Sequence, residues 1–239
     1  MNELHDKGFK PTIKPIHVKC ILFDLDGTIF DTADAIRRAV KETKVAFNLT
    51  IDVDHVINES LNVLEGRKSK LNFLIIAFHF NFFSWKNPLR IFHIKQFFEN
   101  RFHAYTRKGT LFPGVVQSLH ALSDYRLAVV TSRERTWAED SLREHGLLQH
   151  FEVMVTRDDV EKDKPHPAPL QKALALLQVD PPDCLYVGDL PSDIRAGKRT
   201  GVKTAAILTG LSPRPRLEKE HPDYIFENLE ELVDTFIRK

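Results

Sequence analysis

The sequence predicts a doubly wound α/β fold, a parallel sheet with helices on both faces, and three observations carry that prediction. Apolar, β-branched residues recur in short and nearly continuous blocks, which is how strands covered on both faces read. Helical apolar spacings fall between the blocks, giving the strand–helix–strand alternation of a parallel sheet. Acids or hydroxyls directly follow several blocks, where the carboxyl ends of parallel strands open onto a binding crevice.

Taken in order, the strand blocks are Val18 to Phe23, Leu127 to Thr131, Phe151 to Thr156, Cys184 to Val187 and Thr204 to Leu208. Helical stripes are formed by Val115, Val116, Leu119 and Leu122, by Leu170, Ala173, Leu174 and Leu177, and by Leu229, Leu232, Val233 and Phe236. Between Asp31 and Phe112 lie about 80 residues, far more than a crossover needs, so an inserted domain is expected there. Its start reads as a helix with Ile36, Ala39, Val40, Thr43 and Phe47 on one stripe. Its second half is crowded with Phe73, Phe78, Phe80, Phe82, Phe83, Trp85, Phe92, Phe97, Phe98 and Phe102, read as the core of a small helical bundle and not as an aromatic ligand wall. The expected division is an N-terminal extension over 1–17, with Lys10 to Pro15 as an extended arm, a catalytic core from 18–31 and 110–239, and an inserted helical domain over 32–109.

Composition narrows the class of function. With 42% hydrophobic and 28% charged side chains in 239 residues, the chain can bury a sizeable core. Lys plus Arg number 34 against 33 Asp plus Glu, and a net charge of +1 advertises neither nucleic acid nor an acidic membrane surface as partner. The uncharged stretch from Asn72 to Trp85 is too short and too polar to cross a hydrocarbon core of roughly 30 Å. Cys20 and Cys184 each sit inside an apolar run, which suits buried, reduced thiols and a cytoplasmic location, as does an N-terminus without a secretion signal. The 11 histidines show no metal-ligand spacing, so zinc is not expected.

The chemistry concentrates at strand ends. The first strand runs into Asp24, Leu25, Asp26, Gly27 and Thr28, and the fourth into Gly188, Asp189, Leu190, Pro191, Ser192 and Asp193. An acidic pair after one strand is often a helix cap or a turn. Two pairs, from distant parts of the chain, point instead to a divalent cation, for which hard Mg²⁺ with oxygen ligands is the natural candidate. Asp31 and Asp34 read as the N-terminal residues of the first inserted helix. After the second strand, Thr131, Ser132 and Arg133 supply hydroxyls, backbone donors and a cation in sequence, as a phosphate-holding turn would, although a helix N-cap reads the same way. Lys164 stands beside Pro165, whose fixed φ stiffens the loop.

These segments together resemble the haloacid dehalogenase superfamily. FDLDGTIFDT is similar to its first motif, TSR to its hydroxyl motif, KPHP to its lysine motif and GDLPSD to its acidic motif, in the family's order. PDYIFENLEEL resembles an ending common in its phosphatase branch, and LFPGV resembles the segment that re-enters the core. The resemblance implies a Rossmann-like core, with residues 32–109 as an α-helical cap of the phosphoglycolate phosphatase and β-phosphoglucomutase type. It further implies Asp24 as a nucleophile forming an aspartyl-phosphate and Asp26 as general acid and base. Thr131 and the Ser132 backbone would hold the phosphoryl group, and Lys164 would offset its charge. Mg²⁺ would be bound by the Asp24 carboxylate, the Asp26 backbone carbonyl and Asp189, with Asp193 positioning a water or Lys164.

An acid at position 26 favours phosphate chemistry over dehalogenation within the family. The expectation is therefore a Mg²⁺-dependent phosphatase of a small phosphorylated metabolite, phosphoglycolate-like or a sugar phosphate, working as a monomer or homodimer without nucleic acid or membrane. A phosphotransferase of the β-phosphoglucomutase type and a pyrophosphatase or nucleotidase are the alternatives, and a catalytically idle binding module is disfavoured by the complete motif set. Arg37, Arg67 and Lys68 are positioned to meet an anionic substrate tail or to be solvated charge.

Overall fold

In a computed structural model, which describes residues 16–54, 56 and 88–237, the strands form one fully parallel sheet. They are β1 (Cys20–Phe23), β2 (Arg126–Val130), β3 (Val153–Val155), β4 (Cys184–Gly188), β5 (Lys203–Ile207) and β6 (Tyr224–Phe226), in the spatial order β3-β2-β1-β4-β5-β6. The first strand in sequence is therefore central, with β2 on one side and β4 on the other. Cys20 lies opposite Cys184 and Phe23 opposite Val187, while on the other edge Phe23 lies opposite Val129. This register brings the carboxyl ends of β1 and β4 level, so Asp24 and Asp189 emerge side by side. The ladder runs one step past β1, with Asp24 N–H donating to Val187 O at 2.9 Å.

Side chains alternate between faces along each strand, and both faces are covered. Ile21, Phe23, Leu127, Val129, Leu185 and Val187 pack under α3 (Val115–Ala121), α4 (Arg135–Glu144) and α8 (Leu229–Ile237). Cys20, Leu22, Ala128, Val130, Cys184 and Tyr186 pack under α5 (Ala168–Leu177) and α6 (Pro191–Thr200). Burial on both sides is why these strands carry unbroken apolar sequence. Both cysteines are free and buried, as expected. A further short helix, α7 (Arg214–Glu218), follows β5.

The strand blocks expected from sequence all form, with shifted ends. The first begins at Cys20, not Val18, the second and fifth each lie one residue earlier, and the third shrinks from Phe151–Thr156 to three residues at the sheet edge. β6, α4 and α6 carry no apolar period that the sequence shows. β6 is three residues long, and α4 buries only Ala138, Ser141 and Leu142. On α6 the buried set includes Pro191, Ser192, Asp193 and Gly197, which leaves no stripe of large apolar residues to read.

Between β1 and β2 the described helices are α1 (Thr32–Ala46) and α2 (Pro88–Lys108), which pack against each other. Asp31 caps α1, its carboxylate accepting the Asp34 N–H at 3.1 Å, as its sequence position suggested. The buried stripe holds Ile36, Ala39, Val40 and Thr43, whereas Phe47 is the residue after the helix and packs edge-on against Phe97. Phe98 and Phe102 join Ile36, Val40 and Val56 in a small apolar cluster that also receives Leu211 from the loop after β5. Phe92 departs from the expected bundle core, being 59% exposed. Lys10 to Pro15, and Phe73, Phe78, Phe80, Phe82, Phe83 and Trp85, lie outside the described residues, as do Arg67 and Lys68. The two crossings between sheet and insertion are tied together, with Asp31 N–H donating to Thr110 O at 2.7 Å and Phe112 N–H to Ile29 O at 3.1 Å. Among the described residues no helix is long and apolar enough to cross a membrane.

Candidate active site

Four loops at the carboxyl edge of the sheet build the site. The chain leaves β1 at Asp24 and turns at once, the Ile29 and Phe30 N–H groups both donating to Leu25 O at 2.9 Å. Gly27 makes this turn possible in two ways. Its φ of +76° belongs to the left-handed region, and a Cβ there would stand 2.2 Å from Asp189 Oδ2. Gly210, in the loop after β5, approaches the same carboxylate, and a Cβ there would stand 2.0 Å from Oδ2. Asp189 thus sits in a cradle that only glycine leaves open. Its Oδ2 accepts the Leu211 N–H at 2.9 Å, while its Oδ1 is buried without a hydrogen-bond partner.

Asp193 lies in the first turn of α6, where its Oδ2 accepts the Leu190 N–H at 3.0 Å. Oxygens of Asp24, Asp189 and Asp193 all lie within 4.8 Å of one another, and all three residues are buried. Into this cluster Lys164 inserts its ammonium, 2.8 Å from Asp24 Oδ1 and 2.8 Å from Asp193 Oδ1. The hydroxyl of Tyr186, a fully buried residue of β4, accepts from the same Nζ at 3.0 Å and lies 3.1 Å from both Val130 O and Asp193 Oδ1.

One ammonium among three carboxylates leaves negative charge in surplus. Burial pushes the Asp24 carboxyl up to about 7, the charges of Asp193 and Asp26 adding to the rise and Lys164 opposing it. Burial, with Asp193 and Asp24 nearby, holds Asp189 well above the ordinary carboxylate range. Burial alone would lower Lys164, but the charges of Asp193 and Asp24 outweigh it and hold the ammonium far above its usual value. A divalent cation fits this donor set. The uncommitted Asp189 Oδ1 offers a hard oxygen, and a cation would remove the repulsion that burial makes costly.

Asp26 behaves differently from Asp24. Its carboxylate turns away from the cluster and is held by Arg133, with Nε 2.8 Å from Oδ2 and Nη2 2.6 Å from Oδ1, while Thr32 Oγ1 donates to Oδ1 at 2.5 Å. Burial would raise this carboxyl, but the charge and hydrogen bonds of Arg133, with Thr32, overcome it and hold Asp26 below its usual range. Arg133, read from its place after Thr131 and Ser132 as the cation of a phosphate-holding turn, is here committed to Asp26. Thr131 is buried, and its Oγ1 accepts the Arg133 N–H at 3.2 Å, which leaves its own hydroxyl hydrogen available. Ser132 is exposed, and its Oγ donates to Asp163 Oδ1 at 2.9 Å. The same Asp163 oxygen accepts the Lys164 N–H at 2.7 Å, which ties the second loop to the third. Arg37 is outside this constellation, 3.5 Å from Asp54 on the exposed side of α1.

A family model described as haloacid dehalogenase-like hydrolase matches residues 21–207, which takes in Asp24, Asp26, Thr131, Lys164, Asp189 and Asp193. The chain belongs to the haloacid dehalogenase-like hydrolases. Pyrophosphatase PpaX of Oceanobacillus iheyensis is 31% identical to this hydrolase over 218 residues, covering 90% of this chain and 95% of the relative. The Bacillus mycoides protein of the same name is 32% identical over 224 residues, covering 92% and 98%. Among solved structures, a predicted phosphoglycolate phosphatase from Haemophilus somnus superposes with a TM-score of 0.76 at 23% identity, covering 91% of this chain and 97% of that one. CbbY from Rhodobacter sphaeroides, solved in complex with phosphate, gives a TM-score of 0.68 at 25% identity, covering 90% and 96%.

Several residues of the hydrolase's site had no signal in sequence. Tyr186 reads as one more apolar strand residue, and Gly210 and Leu211 as an ordinary loop. The Arg133–Asp26 pair spans 107 positions, a separation at which no periodicity speaks. Asp193 touches Lys164 at 2.8 Å, the neighbour it was expected to position, and its carboxylate also lies within the acidic cluster.

Proposed function

We propose that this hydrolase is a Mg²⁺-dependent phosphohydrolase that passes a phosphoryl group first to Asp24 and then to water. The observation that carries the reading is the pairing of Asp24 Oδ1 with Lys164 Nζ at 2.8 Å beside a buried Asp189 oxygen that has no partner. The second oxygen of Asp24 attacks phosphorus, the bond to the leaving oxygen breaks with its electron pair, and that oxygen takes its proton from Asp26. Asp26 is kept ionised while paired with Arg133 and takes up a proton from solvent only on turning out of that pair. A water then attacks the aspartyl-phosphate, gives its proton to Asp26, and releases phosphate and the free Asp24 carboxylate. Thr131 and the backbone of Ser132 hold the phosphoryl oxygens, and Lys164 screens them from Asp24. Asp24, the Asp26 carbonyl and Asp189 would hold Mg²⁺, with Asp193 fixing Lys164 and contributing charge. Bound there, the ion supplies positive charge where an anionic nucleophile meets an anionic phosphoryl group. Residues 32–109 serve as the cap that keeps bulk water out while the phosphoryl group passes to Asp24.

For the substrate, the pyrophosphatase relatives support inorganic pyrophosphate ahead of the phosphoglycolate-like or sugar phosphates expected from sequence. Phosphate release should be measured with Mg²⁺ on pyrophosphate, phosphoglycolate, sugar phosphates and p-nitrophenyl phosphate, and again in excess chelator. Metal-dependent turnover, with rapid-quench label trapped on Asp24 and absent from Asp24→Asn, is expected. Full turnover without metal, or label on Asp26, would overturn the mechanism.

A further inference from the structure

The environment of Arg133 carries an inference about the leaving group, and it rests on Asp26 serving that group as proposed above. Both oxygens of Asp26 face the Arg133 fork, at 2.8 Å and 2.6 Å. To reach a leaving oxygen, Asp26 must turn at least one of them away. The guanidinium would not follow. Its Nη1 donates to Ser141 Oγ at 3.1 Å, that hydroxyl in turn donates to Thr106 O at 3.2 Å, and the ring of Phe30 lies 5.1 Å beneath its carbon. These anchors are independent of Asp26. When Asp26 turns to substrate, a guanidinium with only 8% of its side chain exposed is therefore left with at least one of its Nε and Nη2 donors unpaired. A buried cation in that state is costly, and a planar fork of two N–H donors is the geometry that best receives a carboxylate or a phosphoryl group.

We infer that Arg133 is a specificity-determining residue that exchanges Asp26 for a second anionic group on the leaving-group side of the substrate. The substrates selected are those in which an anion stands close to the scissile oxygen, as the second phosphoryl group does in pyrophosphate and the carboxylate does in phosphoglycolate. Any leaving oxygen that Asp26 serves is within one side chain of Arg133, so the second anion must be near; a distant one, as on a long sugar chain, would not reach. A neutral leaving group breaks the same pair and offers nothing in return.

The test compares substrates with the same transferred phosphoryl group. In the wild-type holoenzyme, phosphoglycolate should be turned over with a kcat/KM about 10- to 100-fold above that of its neutral amide, the range of one charge-assisted hydrogen-bonded contact. Arg133→Gln should collapse this ratio, and the ratio of pyrophosphate to p-nitrophenyl phosphate, toward one, chiefly through KM for the anionic substrates, and Arg133→Lys should restore part of it. Equal turnover of acid and amide by the wild type overturns the inference even if the variants do not fold, as does an unchanged ratio in a folded Arg133→Gln. Absence of metal-dependent turnover on every substrate would instead remove the phosphohydrolase reading itself.

Discussion

Tyr186 illustrates how a single apolar-looking position governs charged neighbours. Its hydroxyl lies within 3.1 Å of Lys164 Nζ, Asp193 Oδ1 and Val130 O, and its ring fills the sheet face beneath the site. A lysine ammonium has three protons, and the Asp24, Asp193 and Tyr186 oxygens receive them. Tyr186→Phe keeps the ring and removes one of these acceptors together with the donor to Asp193. Stability should fall by about 1–3 kcal/mol, the range for leaving buried polar groups short of a partner. The catalytic effect should appear in kcat more than in KM, because Lys164 remains present but less firmly aimed at Asp24. Denaturant unfolding and steady-state kinetics on one preparation check both, and an unchanged kcat would show that Asp24 and Asp193 suffice to hold Lys164.

The elements contribute by where they end. The loop after β5 brings Gly210 against Asp189, hands it the Leu211 N–H, and sends the Leu211 side chain into the apolar cluster of α1 and α2. Gly210→Ala should push the Asp189 carboxylate out of its cradle and weaken Mg²⁺ binding by about tenfold or more, as measured by calorimetric titration, while the sheet survives. That magnitude is typical for disturbing groups that orient a metal ligand. Gly146→Ala is the control. Its φ of +65° makes alanine strained, but nothing lies near its Cβ, so stability should drop by about 1 kcal/mol with metal affinity intact. The legible elements in the sequence were those with a period. β1, β2, β4 and β5 are buried on both faces and therefore mostly apolar, and by that contrast the acids after β1 and β4 and the hydroxyls after β2 are exposed to view. α4 and α6 are lost because their inward faces are small or polar, and β6 because three residues make no pattern. Asp24, Asp26, Thr131, Lys164, Asp189 and Asp193 could be picked out by position and resemblance. The partner of Asp26 could not, since an ion pair formed across the sheet leaves no trace along the chain.

For the molecule as a whole, the buried acids make stability depend on pH and metal together. Asp24 has an ordinary value of 3.8 and is raised to about 7 when folded. Below the first value it is protonated in both folded and unfolded chains. Between the two, the unfolded chain gives up the proton and the folded chain keeps it, so the metal-free protein loses stability as pH rises through this window, with no further loss from this group above it. Asp189, shifted in the same direction, adds to the trend. Asp26 runs opposite, contributing stability above its ordinary value that is lost as pH falls through its lowered folded one. At one fixed concentration, near 100 times its Kd at pH 8, Mg²⁺ should therefore raise the melting temperature by about 5–10 °C at pH 8 and by less at pH 5. Thermal scans with and without metal decide it, and a shift that shrinks with rising pH would contradict the charge balance described for the cluster.

The central place of β1 has a further consequence, during synthesis. β1 emerges from the ribosome first, and β2 and β3 can join it in turn, but its other edge waits for β4 at Cys184–Gly188. At about 5–20 residues per second, that edge stays open for on the order of ten seconds. Throughout that interval the nascent chain carries Asp24, Asp26 and, later, Thr131 beside an apolar strand with unpaired N–H and C=O groups, a surface that invites pairing with other chains. Arrival of one segment, β4, then pairs the open edge of β1 and brings Asp189 and Asp193 to Asp24 in the same step of translation, and the unpaired edge passes to β4 until β5 follows.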